Sequence, residues 1–174
     1  MNIKITNDPF SDIEKYLNGE AKYYNENANE MVDEVSKLVH RNIVENILNA
    51  RDVDGGRVHD NAPATVKFKG FNRPLYHTGF LATQAIITGF TGEKQVHFSN
   101  AKNKESDLTS AEVASNLQYG WRGNSKFVKP KGNNTFDIHY ANVDVKPRHF
   151  FFDGSGGLGN ILDNEIDAVL ENLF

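Results

Sequence analysis

Apolar positions along the chain gather into two helical stripes, with mixed, turn-punctuated sequence between them. From residue 25 to 49, Ala28, Met31, Val32, Val35, Leu38, Val39, Ile43 and Ile47 recur at steps of three and four, the spacing of one helix face. Glu30, Asp33, Glu34, Lys37, Arg41 and Glu45 occupy the other face, so the pattern predicts an amphipathic helix on the order of 35 Å long. A second stripe of Leu158, Ile161, Leu162, Ile166, Val169, Leu170 and Leu173 predicts a last helix over about 158–173.

The rest reads as shorter pieces. "IKIT" has the composition of a short edge strand. "DPFSDIEKYLNG" fits a short helix with Asp8 as N-cap, Pro9 at the first helical position and Gly19 as its stop. Residues 50–77 read as a long loop, broken by "DVDGG", Pro63 and Pro74, in which "ATVKFKGF" forms a short strand or one helical turn. Thr78 can cap a turn from Gly79 to Thr83. "AIITGF" and "KQVHFS", joined through "TGEK", predict a hairpin with Val96 and Phe98 on one face. Thr109 and Glu112 form a capping box opening a helix over about 109–118, which should bury Val113, Ala114 and Leu117 and stop at Gly120. "WRGNSKFVKPKGNNT" reads as a second polar loop, "FDIHYANV" as a strand, and "VKPRHFFF" as its extended continuation. The order of elements implies an α+β fold: an antiparallel sheet with a long N-terminal helix and a C-terminal helix packed on it, joined by long loops. One domain over 25–174, preceded by an N-terminal extension over 1–24, accommodates this order.

Composition narrows the class. The chain has 174 residues, 39% hydrophobic and 24% charged, which suits one domain with a real core. No apolar run approaches the roughly 20 residues that cross a bilayer, and the first ten residues lack the features of a signal peptide. With no cysteine, disulfides, thiolate metal sites and cysteine nucleophiles are excluded. The net charge of −4 is unevenly spread: residues 1–34 carry −5, residues 35–152 carry +6, and residues 153–174 carry −5. Such segregation usually marks solvated faces, and it also favours head-to-tail contact between copies.

Candidate chemistry is thin. Gly154-x-Gly156-x-x-Gly159 has the glycine spacing of a dinucleotide loop, but only 15 residues follow, too few for the second strand and its acid. A turn into the last helix, with Asp163 in its first turn, is the favoured reading. None of the six histidines pairs at the four-residue spacing of two ligands on one helix face. His97 and His139 on adjacent strands would be the one conceivable zinc pair. Asp52-x-Asp54-Gly55 resembles the opening of a calcium loop, but Pro63 stands where the bidentate glutamate belongs. No Gly-x-Ser-x-Gly elbow occurs. The polar loop holding Arg122, Lys126, Lys129 and Lys131 contains no acid, which makes these four candidate phosphate contacts. No cofactor is implied, and the chain is read as a non-enzyme.

Three segments, in order, carry a resemblance. "APATVKFKGFNRPLYHTGFL" is similar to a stretch in which Pro-Leu precedes Thr-Gly and then Leu, matched by Pro74, Leu75, Thr78, Gly79 and Leu81. "VASNLQYGW" is similar to a helix ending in an aromatic residue and glycine, matched by Gly120. "VKPRHFFF" is similar to a Pro-x-Arg-x-Phe-Leu stretch before a last helix, matched by Pro147, Arg148 and Phe150, with Phe151 in place of leucine. Over roughly residues 28–174 the chain thereby resembles the tail-completion and head–tail joining proteins of tailed bacteriophages, also called virion morphogenesis proteins. Phe80 and His149 depart from the pattern, standing where a basic residue and a second proline are common.

The resemblance implies a structural protein of the virion neck or tail, assembled in the bacterial host cytoplasm. It implies a homo-oligomeric ring touching neighbouring neck or tail proteins, with weak contact at most to DNA passing through its lumen, and no membrane. Pro147 would fix an extended backbone and Arg148 would fork onto a carboxylate or carbonyls. Phe150 or Phe152 would anchor the core, while strand alternation would leave one aromatic, such as Phe151, exposed or in a subunit contact. The alternatives are a nucleic-acid-binding module, another phage minor structural protein, or a hydrolase in which acids meet His77 or His139.

Overall fold

A computed structural model gives the fold. It describes residues 9–76, 78–102, 107–132, 135–152, 157 and 159–173, with backbone alone at 9–13, 64, 68, 125–132, 135–141, 143 and 173. The element order is α1 (Pro9–Asn49), α2 (Pro63–Lys69), α3 (Phe80–Thr83), β1 (Ala85–Phe90), β2 (Glu93–Phe98), α4 (Ser110–Tyr119), β3 (Trp121–Gly132), β4 (Thr135–Val145) and α5 (Asn160–Leu173). The fold is α+β, as the order of patterns implies. In place of one sheet there are two antiparallel hairpins, β1–β2 and β3–β4.

The first helix is far longer than its apolar stripe. It runs 41 residues, roughly 60 Å, and passes through Gly19 without a break. A single glycine costs only about 1 kcal/mol in a helix interior. Here Glu14, Lys15, Leu17, Glu20, Ala21 and Lys22 flank it as good helix formers, and no proline follows. The helix ends at Ala50, which takes a left-handed φ of 54°. The expected boundary between residues 24 and 25 lies inside this helix, and the expected "IKIT" strand lies outside the described residues.

The core forms on the second half of α1. Val39, Ile43 and Ile47 are buried with Val58, Leu75, Ala82, Ala85, Phe98, Ala114, Phe150 and Leu162. The helix packs against β1, β2, α3 and α5. His40 Nε2 lies 2.9 Å from the Ala85 carbonyl, and Arg41 meets Glu165 of α5 at 3.0 Å. Along β1–β2 the register pairs Ala85 with Phe98 and Ile87 with Val96.

The stretch read as a second polar loop is strand β3. Trp121 pairs with Val145, Arg122 with Asp144, and the ladder continues to Gly132 opposite Thr135. A two-stranded ribbon has no second layer to impose an apolar face, so a lysine- and glycine-rich segment can pair. Pro130 is tolerated beside a register irregularity, where a missing N–H costs little. The hairpin is roughly 40 Å long at the extended rise, and among the described residues it shares no broad contact with any other element.

The Phe-rich segment is not a strand. Phe150 N–H donates to the Arg148 carbonyl at 2.6 Å, a three-residue turn that cancels the alternation of sides. Phe150 is therefore fully buried and Phe151 half-buried, both about 6.1 Å from the Phe98 ring, and Phe152 stacks on Phe151 at 4.3 Å. None of the three is exposed, because the turn replaces the strand alternation from which an exposed ring was expected.

Candidate interaction site

The three resembling segments come together around Arg148. Its Nε donates to the His59 carbonyl at 3.2 Å, and its Nη2 donates to the Asp60 carbonyl at 3.3 Å and to Asn61 Oδ1 at 3.2 Å. Its backbone N–H donates to the Leu117 carbonyl at 2.9 Å. The fork thus reaches backbone and amide oxygens, and the segment is tied to α4. Gln118, also buried, completes the tie: its Oε1 accepts from Phe151 N–H at 3.0 Å and its Nε2 donates to the Phe152 carbonyl at 2.7 Å.

Each matched residue has a distinct place. Pro74 and Leu75 are buried, and Leu75 sits at a left-handed φ of 60°. Gly79, at φ 80°, is the N-cap of α3 in place of the expected Thr78, whose Oγ1 accepts only a long bond from Phe80 N–H at 3.4 Å. Gly120 turns the chain from α4 into β3 at φ 79°. A β-carbon there would meet the Val145 carbonyl at 2.8 Å and Pro147 at 2.9 Å, so the close approach requires glycine. Leu75, Thr78, Leu81 and Arg148 line one cavity of about 430 Å³, while Phe150 and Phe151 lie in the core behind it.

The cavity is apolar with a cationic side. Phe80, Leu108, Val113 and Leu117 line it with Leu75 and Leu81. Lys69 enters the same space, its Nζ donating to the Tyr76 carbonyl at 2.7 Å. Burial, with Arg148 nearby adding to it, pushes the Lys69 ammonium down to about 8. Burial also lowers Arg148, and Asp60 opposes that shift. Among the described residues no carboxylate makes an ion pair with Lys69 or Arg148. Asp60 is held by Arg57 at 2.8 Å, and Asp144 by Arg122 at 3.0 Å and Lys146 at 3.2 Å. Asn61 Nδ2 is buried with no hydrogen-bond partner among the described residues.

Of the expected phosphate contacts, Arg122 is bound to Asp144 at 3.0 Å, and the side chains of Lys126, Lys129 and Lys131 lie outside what the structure describes. Their strand positions place Lys126 opposite Tyr140 and Lys129 opposite Asp137. His97 and His139 stand on different hairpins, so they are not on adjacent strands. Among the described residues no three His, Asp or Glu side chains group to hold a metal ion, and no helix is long and apolar enough to cross a membrane. His77 and residues 153–156 lie outside the described residues. Asp52 Oδ1 accepts from Gly56 N–H at 2.7 Å, and Asp54 Oδ1 accepts from Asn160 N–H at 3.2 Å, so the calcium-like acids fold a loop and cap α5.

Sequence reasoning missed Asn61, Lys69 and Gln118, whose roles come from burial against distant segments. It also missed the first half of α1 as a surface. There Tyr16, Leu17, Tyr23 and Tyr24 are 66%, 59%, 56% and 57% exposed. Their spacing, readable as i, i+1, i+7 and i+8, was the available signal. No protein family, no curated protein and no solved structure matches the chain.

Proposed function

We propose that this chain is a structural subunit of the neck or tail junction of a tailed bacteriophage particle, completing the tail or joining head to tail as a ring of identical copies. The reading rests on the resemblance of its three segments. The observation that supports it is the ratio of surface to mass. The chain exposes 12171 Å², whereas a compact monomer of 19.5 kDa exposes roughly 8,500 Å². The long first half of α1, with Tyr16, Leu17, Tyr23 and Tyr24 exposed, adds surface without adding core, which is the form of a part made to be covered by other subunits. Chemistry would need converging ionisable groups; here the cavity's acids pair with Arg57, Arg122 and Lys146, while Lys69 and Arg148 donate to carbonyl and amide oxygens.

Light scattering of the pure chain over a range of concentrations tests the reading, alone and with the neighbouring neck and tail proteins. We expect an oligomer of defined mass, with rings visible by negative-stain microscopy. A chain that stays monomeric and binds none of those neighbours overturns it.

A further inference from the structure

Glu20 occupies an unusual position on the exposed half of α1. Tyr16, Leu17, Tyr23 and Tyr24 lie at i−4, i−3, i+3 and i+4 from it, so all four are its neighbours on the helix surface. Each is more than half exposed, while Glu20 between them is only partly so. The result is an apolar ridge with one carboxylate at its centre. By typical side-chain areas the ridge exposes on the order of 450 Å², about half of one side of a standard interface.

The cavity behind α2 is the inverse of that ridge. It is apolar around Leu75, Phe80 and Leu117, and its acids Asp60 and Asp144 pair with Arg57, Arg122 and Lys146, so that among the described residues none makes an ion pair with Lys69 or Arg148. Asn61 Nδ2 adds a buried donor with no acceptor. Lys69, half-buried, and Arg148, buried, are bonded to neutral oxygens, so beside an orphaned amide donor they favour an added anion. In a single chain the ridge is exposed and the cavity open, so the two surfaces do not meet within one copy.

We infer that the ridge of one copy docks into the cavity of the next, with Glu20 brought to Lys69 and Arg148 and the flanking tyrosines seated on the apolar walls. The occupant is a second copy of this chain. The charge pattern favours it: residues 1–34 carry −5 and residues 35–152 carry +6. Such a contact joins two different patches, so it is heterologous and propagates head to tail, closing as a ring where the rotation allows. The inference deepens the ring reading and rests on it.

Charge reversal on each side tests it by sedimentation velocity. Glu20→Arg alone and Lys69→Glu alone should each weaken self-association by roughly 30-fold or more, because each sets like charges together in a desolvated contact. An equal mixture of the two variants should assemble again, since every ridge–cavity contact between unlike copies regains opposite charges. If the parent chain assembles and both variants assemble equally well, the docking is wrong and the ring stands. If only Glu20→Arg fails, the ridge pairs with another surface, such as a second α1, and the docking is wrong. Two separate failures that mixing does not restore also overturn it. A parent chain monomeric throughout overturns the ring itself. Should Lys69→Glu not fold, a cycle of Glu20→Gln and Lys69→Gln decides: non-additive losses support the contact, and additive losses refute it.

Discussion

Replacing Gln118 by leucine tests how the segment before α5 is held. Gln118 is 3% exposed, and its amide meets three backbone groups: the Phe152 carbonyl at 2.7 Å, Phe151 N–H at 3.0 Å and Phe152 N–H at 3.5 Å. Leucine keeps the volume and removes every one of these bonds. The two short ones matter most, and each orphaned buried group costs about 1–3 kcal/mol. Phe151 and Phe152 are half-buried, so water recovers part of that cost. A loss of about 3 kcal/mol follows, which for a chain of 174 residues lowers Tm by roughly 6–12 °C. Urea unfolding followed by fluorescence measures it, with an unchanged slope showing that both states keep their exposed surface. Tyr119→Ala is the control: its side chain is 66% exposed on the same helix, and its change should stay within about 0.5 kcal/mol. A loss below about 1 kcal/mol for Gln118→Leu would mean that this segment is held by the phenylalanines alone.

Two further perturbations follow from the same geometry. Gly159→Ala should destabilise the fold by roughly 2–4 kcal/mol in urea unfolding, because φ is +84° and a β-carbon would lie 2.7 Å from the Val53 carbonyl. Stability should also rise with pH in a window set by Lys69. Below about 8 this lysine is charged in the folded and unfolded chains and the burial penalty is present; above that the folded chain releases the proton first, while the unfolded chain holds it to near 10.5. Urea midpoints should therefore climb from pH 8 to 10 relative to Lys69→Met, with Arg148, Asp60, Asp144 and Lys146 as the charged groups facing the same cavity; parallel profiles would contradict the assignment.

What could be read from the sequence was whatever depends on local spacing. The second half of α1, helix α5 and the β1–β2 hairpin follow from apolar periodicity, and the Thr109–Glu112 box appears with both reciprocal bonds, at 3.2 and 2.7 Å. Gly19 misled because a lone glycine is a weak breaker when its neighbours favour helix. Strand β3 misled because its pairing comes from β4 and its own composition is that of a loop. The aromatic run misled because one tight turn at Arg148–Phe150 replaces strand alternation. Of the site, Pro74, Leu75, Thr78, Gly79, Leu81, Gly120, Pro147 and Arg148 were picked out as positions, but the cavity was not. Its polar members, Asn61 and Lys69, belong to a stretch read as loop, and burial of a polar side chain is decided by partners far away in sequence.

The same contrast bears on how copies would join. Residues 14–30 hold four glutamates and two lysines, so two α1 ridges laid together would set acidic surfaces against each other. At physiological ionic strength the Debye length is about 8 Å, which leaves contact pairs unscreened while muting the rest of the field. The repulsion therefore acts where the ridges would touch, and it disfavours a symmetric pairing of helices. Docking onto the cavity removes that repulsion and supplies an ion-pair partner that Lys69 and Arg148 lack among the described residues. It also places the contact on a continuous helix anchored by Val39, Ile43 and Ile47, so the angle between successive copies is fixed by a rigid lever. Under the ring reading, closure would then depend on the direction of α1, and a flexible insertion near Asn27, between ridge and core, should keep the contact while scattering the number of copies per assembly.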